Sequence, residues 1–128
     1  MAKEISADRL TKSCAAAAGL AIKRLHNKFF IIKNDCVAEE FCPLECDATA
    51  FRLALMLEFK VMVMHDASQP KPWLRIESPD GFWTHVGVDE FSKHRAKRTR
   101  HAIAVATHEF YLRNQERFES NRPPRLKL

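Results

Sequence analysis

The sequence has few of the residues from which common phosphate-binding and catalytic motifs are built. Only three of its 128 residues are glycine, at positions 19, 81 and 87, which excludes a glycine-rich loop that cradles a phosphate. No nucleophile elbow, dinucleotide fingerprint or spaced pair of catalytic carboxylates is present. His108-Glu109 does not continue into His-Glu-x-x-His, so the zinc-protease motif is absent as well. We therefore expect a protein that is not an enzyme.

Long apolar runs are also missing from the sequence. No run approaches the roughly 20 residues that cross a bilayer. The first six residues lack the charged and then apolar pattern of a signal peptide. We therefore expect a cytoplasmic protein with no membrane partner.

Cysteine occurs four times, with a spacing that does not suit a metal. Cys36, Cys42 and Cys46 lack the Cys-x2-Cys pair that zinc sites use. Cys14 lies on an apolar helical face, where a free cysteine behaves as a small hydrophobic residue. Because no secretory signal is present, we expect reduced thiols, no metal and no cofactor.

The chain does contain enough apolar residues for one core. Its hydrophobic content is 46%, which suits a single domain of this length. We expect one α+β domain over residues 1–120, followed by a basic, disordered tail over residues 121–128.

Charge is distributed unevenly along the chain, which has a net charge of +5. Residues 35–58 hold six acidic residues against Arg52 alone, whereas residues 91–128 hold ten Lys or Arg against three Glu. Such asymmetry indicates an anionic partner or head-to-tail attraction between copies of the protein.

Turn signals and hydrophobic periodicity divide the chain into elements. They predict a helix at about 7–18, a hairpin of strands 21–25 and 28–32, a weakly extended acidic link at 36–41, a helix after Pro43, a strand at 60–65, a further hairpin and a last helix at about 91–118. The fold class is therefore α+β: an antiparallel sheet layered with helices, in the order α-β-β-α-β-β-β-α, with a long C-terminal helix.

Two of these elements carry more detailed predictions. The helix after Pro43 is predicted to bury a stripe formed by Ala50, Leu53, Ala54 and Leu57. Phe51 and Leu55 are predicted to widen this stripe. The strand 60–65 has apolar residues on both sides, which predicts a central strand covered on both faces.

The turn Ser78-Pro-Asp-Gly81 fixes the register of the following hairpin. Proline in the second turn position and glycine at the fourth are typical of a three-residue loop with a glycine bulge. This loop pairs Arg75 with His85, and residues directly opposite one another share a face. One face is predicted to be core, comprising Leu74, Ile76, Phe82, Thr84, Val86 and Val88; the other comprises Trp73, Arg75, Glu77, Trp83, His85 and Gly87.

The second of these faces is the first candidate ligand site, through Trp73, Arg75, Trp83 and His85. The two tryptophans could stack a base or another aromatic ligand while Arg75 contacts a phosphate. Alternatively, a helix or a second subunit covers the aromatic side chains, since tryptophan and arginine are enriched at protein interfaces. The two readings are compatible if the ligand lies between subunits.

The basic start of the last helix is the second candidate site, through Arg95, Arg98, Arg100 and His101. Helix N-termini attract anions, which here include a nucleotide phosphate, a nucleic-acid backbone or an acidic protein surface. A solvated basic face that meets the acidic helix of a neighbour is the alternative. His94, His101 and His108 recur every seven residues and are predicted to be surface or interface residues too far apart to share a metal.

Several short motifs resemble the phage and prophage "ABA sandwich" domain family of small, largely uncharacterised proteins. They are Ala16-Ala-Ala-Gly-Leu-Ala-Ile22, Pro43-Leu44, Asp47-Ala-x-Ala-x-Arg-Leu-Ala54 and Thr99-Arg-His-Ala-Ile103. Phe41-Cys42 stands where the family typically has Trp-Asn. The resemblance implies a layered fold of helices and sheet, a phage or prophage origin and a location in the host cytoplasm.

Three functions are compatible with these patterns. The first is a non-enzymatic phage accessory protein that forms a homo-oligomer and binds an anionic ligand, for example to sequester a nucleotide signal of host defence. The second is a nucleic-acid-binding module that uses the basic last helix and tail. The third is a protein–protein inhibitor of a host factor, which the charge asymmetry also permits.

Overall fold

A computed structural model describes residues 5–64, 73–87 and 93–116 of the chain. Its elements are α1 (Ala7–Ala17), β1 (Ile22–Leu25), β2 (Lys28–Lys33), β3 (Cys36–Glu40), α2 (Asp47–Met56), β4 (Lys60–Met64), β5 (Trp73–Glu77), β6 (Trp83–Gly87) and α3 (Lys93–Arg113). The predicted α+β class is confirmed: helices pack with two three-stranded antiparallel sheets, β1-β2-β3 and β4-β5-β6.

The first sheet is built from two tight hairpins. Both central residues of each turn have positive φ: His26 (51°) and Asn27 (66°) in one, Asn34 (52°) and Asp35 (63°) in the other. Two successive positive φ values match the turns that suit the twist of paired strands, and Asn and Asp tolerate this conformation. The predicted hairpin across His26-Asn27 is therefore confirmed.

The acidic link predicted at 36–41 contains a strand in the structure. β3 pairs antiparallel with β2, with a register irregularity between Ile31 and Ile32. Its four leading residues are exposed, and only Glu40 is half-buried. Because neither face of β3 is clearly apolar, its sequence lacks the alternation of polar and apolar residues by which a strand is predicted.

The second sheet confirms the predicted hairpin register. Arg75 lies opposite His85 and Ile76 lies opposite Thr84. The turn is closed by hydrogen bonds from the Ser78 amide to the Phe82 carbonyl (2.9 Å) and from the Gly81 amide to the Ser78 carbonyl (3.0 Å). Gly81 has φ +89°, which explains why glycine is needed there.

The predicted role of residues 60–65 as a central strand is wrong. Within the described residues, β4 is an edge strand, with β5 between it and β6. Val61 is 40% exposed and Val63 is 60% exposed, although they share a face with the buried Ile76 and Leu74. The apolar residues on both sides of β4 therefore do not reflect cover on both faces.

Helix α3 lies at the centre of the core. Its residues from 102 to 110 are buried on several sides, including three small ones, Ala102, Ala104 and Ala106. The small side chains allow close approach of α1, whose Cys14 and Ala15 are also buried. Other sides of α3 pack against β5, β6 and α2. The buried residues of this segment are Ala102, Ile103, Ala104, Ala106, Thr107, His108 and Phe110.

Helix α2 is bound to the core through its predicted stripe of Ala50, Leu53 and Ala54. Phe51 and Leu55 do not widen this stripe, since they are 63% and 61% exposed. Phe59 follows the helix and packs edge-on against Phe110, with ring centres 5.4 Å apart.

The expectation of four reduced thiols is wrong for one pair. Cys42 and Cys46 form a disulfide across the turn that precedes α2, with Cα atoms 5.5 Å apart. Cys14 is free and buried, and Cys36 is free and exposed. Cellular compartment and zinc-ligand spacing, on which that expectation rests, do not report that this turn brings the two side chains together.

Several predictions lie outside the described residues. These are the tail over 121–128, the contribution of Val88 to the core face and the ends of the last helix beyond 93 and 116. Phe82, predicted to be core, is 59% exposed. In the part of the chain that the structure describes, no helix is both long and apolar enough to cross a membrane.

Candidate ligand-binding face of the second sheet

Strand alternation brings the first four predicted site residues onto one face of the second sheet. Leu74 and Ile76 of β5 point into the core and pack with α3. Trp73 and Arg75 alternate with them and so point away from the core. The register across β6 places His85 opposite Arg75, and Trp83 next to both along the same face.

The three aromatic rings of this face contact one another. The ring centres of Trp73 and His85 are 5.4 Å apart at an interplanar angle of 73°. Those of Trp83 and His85 are 5.7 Å apart at 36°, and those of the two tryptophans are 6.5 Å apart at 40°. Trp83 is 50% exposed, so an aromatic surface is open to solvent.

Arg75 lies against this surface with part of its guanidinium unsatisfied. Its Cζ is 4.5 Å from the centre of the Trp83 ring, a cation–π distance. Its Nη2 is 3.5 Å from a carboxylate oxygen of Glu77, close enough for an ion pair but long for a hydrogen bond. Its Nε is buried and has no hydrogen-bond partner among the described residues. A buried donor of this kind is costly, which favours an acceptor that completes it.

The face extends onto β4, and this extension was not predicted from the sequence. Met62 lies opposite Arg75 and Met64 lies opposite Trp73, while Lys60 lies opposite Glu77. Both methionines are half-buried. The signal was present in the alternation of residues 60–64, but only the pairing of β4 with β5 shows which side belongs to the site.

The predicted residues of the last helix do not join this face. Arg98 and His101 are exposed on α3, which packs on the opposite, Leu74 and Ile76 side of the sheet. Arg100 donates from Nε to the Leu44 carbonyl (3.0 Å) and pairs with the Asp47 carboxylate. The side chain of Arg95 lies outside the described residues. Arg100 thus connects the basic helix to the acidic start of α2 within one chain.

His108 is not the surface or interface residue that its spacing predicted. Its side chain is 4% exposed, and its Nδ1 lies 2.7 Å from the Ser13 hydroxyl of α1. Burial lowers the pKa of His108, and the nearby positive charge of Arg9 lowers it further. Among the residues that the structure describes, no group of three His, Cys, Asp or Glu side chains is placed to hold a metal.

A second concave region was not predicted from the sequence. A cleft of about 230 Å³ lies between α2 and the strands β2 and β3. Its apolar lining comes from Leu20, Ile31, Phe41, Leu53 and Met56, and its charged lining from Lys33, Glu39, Glu40 and Arg52. Arg52 is already paired with Glu39 at 2.9 Å, so the charged part of the cleft is largely neutralised from within.

Comparison with known proteins gives a match at the level of fold. The structure is similar to the 2.0 Å crystal structure of a phage protein from Bacillus cereus ATCC 14579, with a TM-score of 0.50 and 18% identity. The alignment covers 85% of this chain and 93% of that one. No model of a known protein family matches the sequence, and no curated protein matches it. At this identity the similarity shows a shared fold.

Proposed function

We propose that this chain is a non-enzymatic phage accessory protein that forms a homo-oligomer and binds an anionic aromatic ligand on the Trp73/Arg75/Trp83/His85 face. A nucleotide signal of host defence, which the protein would sequester, is the ligand class that fits. The observation that carries the proposal is Arg75: its guanidinium is stacked on Trp83 and its buried Nε has no partner among the described residues.

The chemistry of this face suits a nucleotide in two ways. The exposed ring of Trp83 offers a surface on which a base can stack, a contact worth about 1–3 kcal/mol per base. The Arg75 guanidinium offers planar donors for phosphate oxygens close to that ring. A ligand with an aromatic ring and a phosphate a few atoms apart can therefore use both groups.

The phage context supports the biological part of the proposal. The fold is similar to that of a phage protein from Bacillus cereus. The short motifs around Ala16–Ile22 and Asp47–Ala54 resemble the phage ABA sandwich proteins. A small phage protein that binds a nucleotide fits a sequestering role.

The test is a thermal-shift and calorimetric screen of the purified chain against cyclic nucleotides, ADP-ribose and cyclic derivatives of ADP-ribose. We expect at least one of these ligands to raise the melting temperature. Arg75→Ala and Trp83→Ala should each lower the affinity about tenfold or more, since each removes a contact worth one to a few kcal/mol. Absence of any shift with the wild-type chain would contradict the proposal.

Arg98→Ala is the matched control, because it removes the same charge from an exposed position on α3. It should leave nucleotide affinity unchanged within about twofold, since α3 lies on the other side of the sheet. If Arg98→Ala weakens binding and Arg75→Ala does not, the site is on the basic helix.

Nucleic-acid binding by the basic helix is the second candidate function, favoured by the exposure of Arg98 and His101. It predicts binding to DNA or RNA that weakens steeply as salt rises from 50 to 200 mM, as phosphate contacts require. Because Arg100 is bonded to Leu44 and Asp47, fewer cationic side chains of α3 are available to contact phosphates than the sequence alone indicates. A gel shift at low ionic strength that disappears in Arg98→Ala would favour this function over the first.

A further inference from the structure

Among the described residues, β4 is a poorly protected backbone edge. In the described residues it pairs on one side with β5, through Lys60 to Met64 without a bulge. An edge strand presents a row of unpaired backbone donors and acceptors, which proteins normally protect with charges, proline or bulges. After Lys60, β4 reads Val-Met-Val-Met and has none of these features.

Other edges in the structure carry such protection. β1 has Lys23 and Arg24 at its centre, and β3 has Glu39 and Glu40 together with the register irregularity against β2. β6 lies against α3. The contrast singles out β4 as an edge that is suited to pairing.

The side chains of the two β4 valines are also incompletely covered on their face of the sheet. Val61 and Val63 lie on the face that the core covers at β5, where Ile76 is 1% exposed and Leu74 is 6% exposed. Among the described elements, helix α3 packs over β5 and β6, whereas Val61 and Val63 of β4 remain 40% and 60% exposed. A partner at this edge must therefore supply both backbone hydrogen bonds and apolar side chains.

We propose that the partner is a second copy of this chain, paired β4 to β4 in antiparallel orientation about a two-fold axis at Met62. The sequence of the strand is what such pairing requires, because Val61-Met62-Val63 reads the same in both directions. Val61 of one copy then lies opposite Val63 of the other, and the four valines form one apolar cluster.

The same register avoids a clash of charges. Lys60 lies opposite Met64 of the second copy, not opposite another lysine, and its neighbour within the chain is Glu77. The result is a continuous six-stranded antiparallel sheet in the order β6-β5-β4-β4-β5-β6. The two copies of β5 are then three strand spacings, about 14 Å, apart.

This interface deepens the function proposed above, and rests on it only for the expectation of a homo-oligomer. The two Trp73/Arg75 faces become one surface, with Met62 and Met64 of both chains between them. Methionine adapts its shape readily, so the centre of this surface can accommodate parts of a ligand that extend from either side.

Cysteine cross-linking tests both the interface and its register. In a Cys36→Ser background, Met62→Cys places a thiol opposite its own copy, and mild oxidation should give a covalent dimer on a non-reducing gel. Lys60→Cys is the matched control in the same strand, because residue 60 does not face itself, and should stay monomeric. Leu112→Cys, at an exposed position of α3, should also stay monomeric. Cross-linking of the controls to the same extent as Met62→Cys, or no cross-linking of Met62→Cys, overturns the proposal.

Light scattering after gel filtration provides the second measurement. We expect the wild-type chain to have at least twice its chain mass of 14.8 kDa, and Val63→Lys to have half the wild-type value. Val63 is 60% exposed in one chain, so the variant should still unfold in a cooperative thermal transition, which shows that the fold is kept when the dimer is lost. A wild-type chain that is monomeric at about 100 μM, well above the Kd range of stable assemblies, overturns the interface.

Nucleotide titration of the same samples separates this proposal from the first. A monomeric wild type that still binds nucleotide contradicts the β4 interface alone. A wild-type dimer that binds none of the nucleotides contradicts the ligand alone.

Discussion

At the scale of single residues, the most extensive polar contact joins the β5–β6 turn to the end of α3. Arg113 donates to both carboxylate oxygens of Asp80, at 2.8 and 3.1 Å, and Asn114 donates to the same carboxylate at 3.0 Å. The Arg113 guanidinium also lies 4.0 Å from the centre of the Phe82 ring. The hydrogen bond from Arg113 holds the pKa of Asp80 well below its usual range. This contact fixes the hairpin that carries Trp83 and His85.

We predict that Asp80→Asn lowers the free energy of unfolding by about 2 kcal/mol at pH 7, since it weakens charge-assisted hydrogen bonds at a mostly buried position. Because the pKa of Asp80 is lowered by folding, this contribution is complete above the ordinary carboxyl pKa of about 4 and is lost as pH falls below it. Urea unfolding of both proteins at pH 7 and pH 3 should therefore show a difference that shrinks in acid. An equal difference at both values would contradict the assignment.

His108 predicts a pH effect in a different range. Its pKa is lowered by burial, so the unfolded chain binds a proton that the folded chain does not. Stability should consequently fall as pH decreases from about 7.5 through the ordinary histidine pKa of about 6.5. Ser13, Arg9 and Glu109 are the neighbouring groups.

The check is a series of melting temperatures from pH 8 to pH 5 for the wild type and His108→Asn. Asparagine can keep a polar atom near the Nδ1 position but does not titrate. The variant should be less stable at pH 8 and should lose less stability between pH 7.5 and pH 5.5. Parallel curves would show that another group is responsible.

We expect Glu77 to limit the affinity of the proposed ligand site. Its carboxylate is 3.5 Å from the Arg75 guanidinium and repels an approaching phosphate. We predict that Glu77→Gln binds the nucleotide several-fold more tightly, an effect that decreases at high salt because the residue is partly exposed. Calorimetry at 50 and 300 mM salt measures both the gain in affinity and its salt dependence. The matched control is Glu39→Gln, because the Glu39 carboxylate pairs with Arg52 away from this face.

At the scale of elements, the start of α2 is held by a covalent bond as well as by packing. Cys46 occupies the N-cap position without a side-chain cap hydrogen bond, and its disulfide to Cys42 closes the preceding turn. A loop of this size corresponds to roughly 2 kcal/mol of chain-entropy stabilisation. Arg100 of α3 contacts the same turn through the Leu44 carbonyl. The turn therefore links α2 to the central helix.

Thiol titration gives a direct check of this arrangement. We predict that the native, unreduced protein has one fast-reacting thiol, Cys36, because Cys14 is buried and its pKa is raised to about 12. Denaturant should reveal Cys14 as a second thiol, and reduction should release the remaining two. Reduction should also lower the melting temperature, whereas a Cys42→Ser/Cys46→Ser double variant should melt low and be insensitive to reductant. Three or more fast-reacting thiols in the native protein would contradict the disulfide.

The elements also show which parts of the fold could be predicted. The β5–β6 register followed from the sequence because the turn Ser78–Gly81 and the apolar alternation specify it independently. The strand β3 is detected only through its pairing with β2, since its own side chains are mostly exposed. The position of β4 at an edge could not be predicted, because a central strand and an exposed apolar edge strand can both have apolar side chains on both faces.

The same reasoning applies to the candidate site. The grouping of Trp73, Arg75, Trp83 and His85 could be predicted, since it depends on one hairpin alone. The separate engagement of Arg100 with Leu44 and Asp47 could not, because the contact spans more than fifty residues. The burial of His108 also depends on α1, 95 residues away at Ser13.

At the scale of the whole molecule, the uneven charge is partly balanced within the chain. The basic α3 meets the acidic start of α2 through Arg100 and Asp47, and Arg52 meets Glu39 across α2 and β3. These contacts reduce the tendency to head-to-tail attraction that the sequence alone indicates. A self-association that depends on apolar residues of β4 should consequently persist at high salt.

The central position of α3 has a consequence for how the protein is made. Its closest helical partner, α1, is made before the strands of both sheets, whereas α3 is made after them. The Cys14 thiol can contact the Ala104 carbonyl only after 90 further residues have been synthesised, which takes several seconds at about 5–20 residues per second. During that time the second sheet lacks the cover that α3 gives to β5 and β6. Folding must therefore follow translation, and a chain that stops before α3 would leave an apolar, edge-bearing fragment for proteases and chaperones to remove.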